Sequence, residues 1–241
     1  NQSYKNIEII VWDNSSTDNT AMIINRVKDD RVKYFKNSNH VTLGEARVEA
    51  IKHLNGEFIA ILDADDLAYE DRIAKQLQIF LDNKEIGLVS GWMNIINNKS
   101  KVINSYEPTF SKYNMYEQLC WSNPIVHSSI MYRQSVAHKL KWYSLKITNF
   151  QDYHLTLKIS LNYKVFNLSN VIGAKRIHES NSIKNNDTYL KQIKDYKLLL
   201  RYISFYILPK KKFLKKMNQK IIKVSNLKII LFELSKNFNF K

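Results

Sequence analysis

The chain predicts an α/β fold, a mostly parallel sheet flanked by helices, and three observations carry that reading. Short apolar runs alternate with segments of helical periodicity over the first 90 residues, the pattern of strands joined by crossover helices. Two of these runs stop abruptly in polar clusters, Asp13-Asn14-Ser15 and Asp63-Ala64-Asp65-Asp66. Glycine and proline are scarce, 5 and 3 in 241 residues, which excludes collagen-like and linker-like chains.

Taken in order, Ile7 to Trp12 is an apolar run bounded by a turn and reads as a buried strand. Thr17 to Val27 places Ala21, Ile23, Ile24 and Val27 at helical spacing behind polar capping residues. Arg31 to Phe35 alternates as a second strand, and Val41 to Leu54 is helical with Gly44 near its start. Glu57 to Leu62 is a third strand, Tyr69 to Leu81 an amphipathic helix, and Ile86 to Ser90 a fourth strand. Trp92 to Tyr106 reads as a hairpin around Asn97-Asn98, although no glycine marks the turn. Strand material is expected at Ser128–Tyr132 and Val165–Ile177, with a helix over Asn149–Leu161. In open sheets of this kind ligands sit beyond the carboxyl ends of the strands, so the site is expected at the two polar clusters.

Charge divides the chain. Residues 185–241 hold 14 Lys or Arg against Asp187, Asp195 and Glu233, a net +11 of the whole chain's +15. We expect a first unit over 1–184 and a basic helical extension over 185–241. In the extension, Leu198, Leu199, Tyr202, Ile203, Tyr206 and Ile207 fit one apolar helix face. Such a region either rests on an anionic membrane surface or packs on the first unit with its lysines outward. Nucleic acid is not expected as a partner, because no recognition motif accompanies the lysines. No run reaches the ~18–20 apolar residues of a spanning helix. The single cysteine, Cys120, excludes an internal disulfide and a Cys-based zinc site; it reads as a core residue and points to a reducing, cytoplasmic setting.

The cluster after the third strand carries the chemistry. Asp63, Asp65 and Asp66 fall within four residues. Crowded carboxylates repel unless a cation lies among them, and hard cations such as Mg²⁺ or Mn²⁺ prefer oxygen ligands. A polar turn with Asp66 capping the next helix explains the same triplet without any ligand.

These segments together resemble the family 2 glycosyltransferases of the GT-A, Rossmann-like fold. Tyr4 to Thr20 is similar to the family's V-D-D/N-x-S-T-D-x-T segment, and Asn39 to Ile51, with Gly44, Ala46 and Arg47, to N-x-G-x-x-x-A-R-N. Gly56 to Asp66 resembles G-E-Y-I-x-x-L-D-A-D-D, and Asp71-Arg72 the D-R that follows it. Gln151 to Leu155 resembles E-D-Y-D-L, and Arg176 to Ser182 the late R-x-H-x-x-S/N-S segment. With Asp71-Arg72 taken together with the block before it, five ordered matches cover about residues 1–184.

The resemblance implies inverting transfer of a sugar from a nucleotide-sugar, a UDP-sugar in the commonest case, to a saccharide or lipid-linked acceptor, with Mg²⁺ or Mn²⁺. By the same resemblance Asp13 and Asn14 contact the base or ribose, Asp63 the ribose and metal, and Asp65 the metal. Asp152 is the implied general base, His178 completes the metal–diphosphate site, and Arg47 and Arg176 contact the diphosphate. Each has a plainer alternative: Asp152 stabilising a helix start, His178 lying on the surface, and the arginines in structural pairs. His127 either lines the acceptor cleft or is simply packed.

The sequence departs from the family pattern in places. The usual opening strand and helix, roughly 30 residues, are not seen before Asn1, so the chain is expected to be incomplete there. Trp12 stands for a small apolar residue, Val48 for Asn and Gln151 for Glu. Two other functions fit less well. A phosphotransferase using Asp63 and Asp65 wants Thr or Val where Asp66 stands. A non-catalytic relative would bind a partner or membrane through the basic extension.

Overall fold

The computed structural model describes residues 1–108, 118–119, 123–147 and 150–178. The basic extension 185–241 and Cys120 lie outside the described residues, as does the late motif beyond His178.

Strand β1 (Ile9–Asp13), helix α1 (Thr20–Asn25), strand β2 (Val32–Lys36) and helix α2 (Leu43–Ile51) follow in the expected order. β1 and β2 pair in parallel, with Trp12 opposite Phe35. The two rings stack at 6.1 Å, and His53 lies 4.0 Å from Phe35. Trp12 thus forms a cross-strand aromatic pair, which explains how the large residue is accommodated. α1 buries none of its residues, and Ile9, Met22, Ile23 and Val27 are exposed. α2 starts firmly: Thr42 accepts from Glu45 N while the Glu45 carboxylate accepts from Thr42 N, a reciprocal capping box.

The second sheet has six strands. These are β3 (Phe58–Ala60), β4 (Leu67–Ala68), β5 (Ile86–Ile96), β6 (Val102–Tyr106), β7 (Met131–Arg133) and β8 (Lys164–Arg176). Their order is β3-β7-β5-β8-β4, with β6 also on β5. The long ladder β5–β8 is parallel; the shorter ladders β3–β7, β5–β7, β5–β6 and β4–β8 are antiparallel. β5 runs six residues beyond the expected strand because the hairpin continues it without a break. The glycine-free turn closes through Asn97, whose side chain accepts from Lys99 N and Lys101 N, and through Ser100, which takes φ 59°. At Gly173 a Cβ would strike the Leu67 carbonyl, so glycine is what lets β4 lie against β8.

Helices α3 (Arg72–Asp82), α4 (Gln134–Lys139) and α5 (Gln151–Asn162) complete the unit. The core joins Phe80 of α3 to Ile86, Val89, Met93, Met131, Leu168 and Ile172 of the sheet. Arg133 lies over the Phe58 and Phe80 rings at 5.0 and 5.1 Å and donates to the Phe80 and Ile86 carbonyls. The short elements β4 and α4 are not foreseen by the sequence pattern. Among the described residues no helix is long and apolar enough to cross a membrane.

Candidate active site

The acidic turn after β3 is held by two arginines. Arg72, fully buried at the start of α3, donates from Nη2 to the Ile61 and Ile130 carbonyls at 2.8 and 3.0 Å and from Nε to Gln76 Oε1 at 3.0 Å. Gln76 in turn donates to the Val89 and Ser129 carbonyls. Arg176, at the end of β8, donates from its backbone N to Asp66 Oδ1 and from Nε to the Asp65 carbonyl. Its Nη1 reaches the Asn97 carbonyl of the hairpin turn at 2.8 Å. The Arg176 guanidinium is thus turned onto backbone carbonyls. Asp66 is buried, and burial beside Asp65 and Asp63 raises its carboxyl although Ser128 and Arg176 N oppose the rise.

Asp65 and His178 are brought together: His178 Nε2 is 3.0 Å from Asp65 Oδ2, both partly exposed. Among the described residues no third His, Cys, Asp or Glu joins them in a metal-holding group. Two protein ligands fit a hard cation that completes its shell on phosphate oxygens and water, not one caged by protein alone.

Asp63 sits at the centre of a different cluster. Its backbone N donates to Ser128 Oγ at 3.1 Å. Arg47 Nη2 of α2 approaches its Oδ1 at 3.5 Å, and His127 Nδ1 lies 3.8 Å from the same oxygen. Burial alone would raise the Asp63 carboxyl, but His127, Arg47 and Ser128 outweigh it and hold the group well below the ordinary carboxylate range. The Arg47 guanidinium also lies over the Tyr143 ring at 5.4 Å, and the Tyr143 hydroxyl is 3.0 Å from His127 Nε2. Asp63, Arg47, Tyr143 and His127 therefore close a ring of side chains.

Asp152 stands in the first turn of α5, half-buried. Among the described residues nothing hydrogen-bonds its carboxylate. The Tyr143 hydroxyl, pushed up to about 12 by burial, is lowered by Arg47 and raised by both Asp152 and Asp63. A Cβ built on Gly44 would lie 3.4 Å from Gln151 Oε1 and 3.5 Å from the Ser144 carbonyl, so α2 packs close to the start of α5 at this residue.

Asp13 and Asn14 are placed differently. Asp13 is buried; its Oδ1 accepts from Ser16 N and its Oδ2 from Tyr34 Oη. Burial raises its carboxyl, but Ser16, Tyr34 and Lys36 outweigh that and lower it. Asn14 pairs with both the N–H and the carbonyl of Val41, beside the α2 cap. They shape the loop ahead of α2, and no described contact joins them to Asp63. Tyr143 and Gln76 are neighbours of the candidate site that the sequence reading missed. Tyr143 lies in an irregular segment with no motif, and Gln76 looks like any polar helix residue. Arg72 had only the Asp-Arg dipeptide to mark it.

The family model for glycosyl transferase family 2 matches residues 1–141. An uncharacterized glycosyltransferase of Methanocaldococcus jannaschii is 31% identical over 206 residues, 84% of this chain and 69% of the relative. The Escherichia coli enzyme WfaP, named a UDP-Glc:α-D-GlcNAc-diphosphoundecaprenol β-1,3-glucosyltransferase, is 33% identical over 73% of this chain and 68% of its own length. Another relative, from Rickettsia felis, is matched over only 21% of its length. Among solved structures, Staphylococcus aureus TarS 1–349 with UDP-GlcNAc superposes at TM-score 0.60 and 20% identity, over 85% of this chain and 66% of that one. The mannosyltransferase PcManGT of Pyrobaculum calidifontis, in complex with GDP-Man and Mn²⁺, superposes at 0.58 and 16% identity, over 100% of this chain and 81% of that one. These last two bear on the fold, which is GT-A. A family match across more than half of its length, with a relative 31% identical over 84% of it, makes this chain a member of glycosyl transferase family 2.

Proposed function

We propose that this glycosyltransferase moves a sugar from a nucleotide-sugar, a UDP-sugar first of all, to an acceptor hydroxyl with inversion, assisted by Mg²⁺ or Mn²⁺. The observation that supports the reading is the acidic turn after β3, where Asp65 meets His178 and Asp63 meets Arg47. Asp152 is the general base: its carboxylate is free of hydrogen bonds among the described residues and takes the acceptor proton as the hydroxyl oxygen attacks the anomeric carbon. Asp65 and His178 would hold the cation, which when bound stabilises charge gathering on the leaving diphosphate. Asp63 binds the donor's hydroxyls, and Arg47 lends positive charge to the diphosphate. Asp13 and Asn14 shape the nucleoside pocket through the loop that they pin. Arg176 belongs to the same site but acts on the Asp65 carbonyl, holding the turn in place.

The acceptor fits a lipid-linked saccharide in surface polysaccharide or glycoconjugate synthesis, in line with the names of WfaP and its Escherichia coli counterpart WfgD. The basic extension would then keep the enzyme at the cytoplasmic face of an anionic membrane.

Calorimetric titration of UDP in Mn²⁺ into the chain and into its Asp65→Ala variant tests the reading. Metal-dependent binding that the variant loses is expected. Silence of the unaltered chain toward UDP, GDP, dTDP and CDP alike, in Mn²⁺ and in Mg²⁺, would refute it.

A further inference from the structure

The segment between α4 and α5 holds two strained residues in succession. Lys141 and Trp142 take left-handed conformations, φ 57° and 49°, although neither is glycine. A single left-handed residue commonly closes a helix, but two side-chain-bearing ones together are costly. Such strain persists where surrounding contacts over-determine it, and it gathers at functional sites.

Two sets of contacts hold this turn. Leu140 N and Trp142 N donate to the Val136 and Ala137 carbonyls, so the strained residues close α4. Lys158, buried on α5, donates from Nζ to the Leu140 carbonyl at 2.7 Å and also to the Trp142 carbonyl. An ammonium shared by two carbonyls is a charge-assisted staple. α5 begins with Gln151 and Asp152, so the staple ties the turn to the helix that bears the proposed base.

The residue that the turn delivers is Tyr143, 3% exposed. The Arg47 guanidinium lies over its ring at 5.4 Å, and a cation within ~6 Å of an aromatic centroid is attracted to the ring face. Arg47 Nη2 meanwhile approaches Asp63 Oδ1 at 3.5 Å. The Tyr143 hydroxyl, 3.0 Å from His127 Nε2, fixes the tilt of the ring. A free arginine has many rotamers; ring and carboxylate together confine this one. An arginine confined before its ligand arrives lowers the ordering cost of binding.

We propose that Tyr143 is a positioning residue for Arg47, and that Lys158 positions Tyr143 by stapling residues 140–143 to α5. This rests on the nucleotide-sugar reading, in which Arg47 lends charge to the donor diphosphate, and adds the residues that hold the arginine ready.

A double-variant cycle tests it. UDP binding in Mn²⁺ is measured by calorimetry for the full chain, Tyr143→Leu, Arg47→Gln and the pair, with circular dichroism and a thermal melt to confirm folding. Tyr143→Leu should weaken UDP about three- to tenfold, and Arg47→Gln at least as much. The pair should bind no more weakly than Arg47→Gln alone, because the tyrosine then has nothing to position. Tyr143→Phe keeps the ring face and should bind within about twofold of the parent. A tyrosine with a merely structural role weakens the Arg47→Gln background as much as the parent, and that additive result overturns the proposal. So does unchanged affinity in Tyr143→Leu or in Arg47→Gln, or a loss in Tyr143→Phe equal to that in Tyr143→Leu. Lys158→Met should also weaken UDP in the parent and not in Arg47→Gln; an additive loss removes Lys158 from the role. Should Tyr143→Leu fail to fold, Lys158→Met takes its place in the cycle and is judged by the same outcomes. Silence of the unaltered chain toward UDP, GDP, dTDP and CDP refutes the nucleotide-sugar reading and the positioning role with it. Binding by the parent with an additive cycle refutes the positioning role alone.

Discussion

Replacing Arg72 by Met should cost this protein a large part of its stability. The side chain is 1% exposed, and its guanidinium serves three acceptors: the Ile61 carbonyl, the Ile130 carbonyl and Gln76 Oε1. Methionine fills much of the same volume, so the cavity contribution is small and the loss is chiefly polar. Each buried acceptor left unbonded costs about 1–3 kcal/mol, and partial relaxation or water entry recovers some of it. The expected loss is about 3–5 kcal/mol, against a total of ~5–15 kcal/mol for a typical domain. Urea unfolding followed by tryptophan fluorescence measures it, with the midpoint falling and the slope unchanged. Gln76→Leu should be destabilising as well, because the Val89 and Ser129 carbonyls lose their donor. Since Arg72 and Gln76 share a bond, the double variant should lose about 1 kcal/mol less than the two single losses combined. An Arg72→Met protein within about 1 kcal/mol of the parent would refute the claim that this arginine secures the acidic turn.

Three further outcomes follow from the same geometry. Asp152→Asn should lower kcat about 10²–10⁴-fold with little change in donor KM, measured by release of nucleotide diphosphate in the presence of acceptor; a wild-type rate would remove Asp152 from the role of base. Asp66→Asn should stabilise the metal-free protein at pH 7, because the folded state raises this carboxyl and amide substitution removes a buried charge while leaving an oxygen for Arg176 N; a lower melting temperature in EDTA would contradict this. His154 is lowered to about 4 by burial, with Lys158 adding to the effect. The unfolded chain therefore binds the extra proton first, and stability present above about pH 6.5 is lost as pH falls toward 4, by up to about 3 kcal/mol. His154→Gln should flatten the melting temperature across that range, and an unchanged slope would count against it.

Much of the architecture was legible because it depends on local pattern. The apolar runs of β1 and β3, the helical periodicity of α3 and the polar stops at Asp13 and Asp63 each write a strand, helix or turn into adjacent residues, and the order of these elements names the fold class. The motif positions carried Asp63, Asp65 and Asp152 for the same reason: each follows a recognisable local segment. The helix α4, the two-residue β4 and the antiparallel insertion of β7 between β3 and β5 were not legible, since short elements owe their existence to partners distant in the chain.

The site divides along the same line. Sequence alone determined which residue types stand at the strand ends, and with them the class of chemistry. It could not say that Arg176 spends its guanidinium on the Asp65 and Asn97 carbonyls, or that Tyr143 lies under Arg47 and beside His127. Those roles are set by contacts across 79 to 111 residues in the one case, and in the other by a segment without secondary structure. A hydrogen bond needs its partner within about 3 Å and correctly oriented. Only the packed tertiary structure, which brings α2, the 3₁₀ turn and the approach to α5 around Asp63, fulfils that condition.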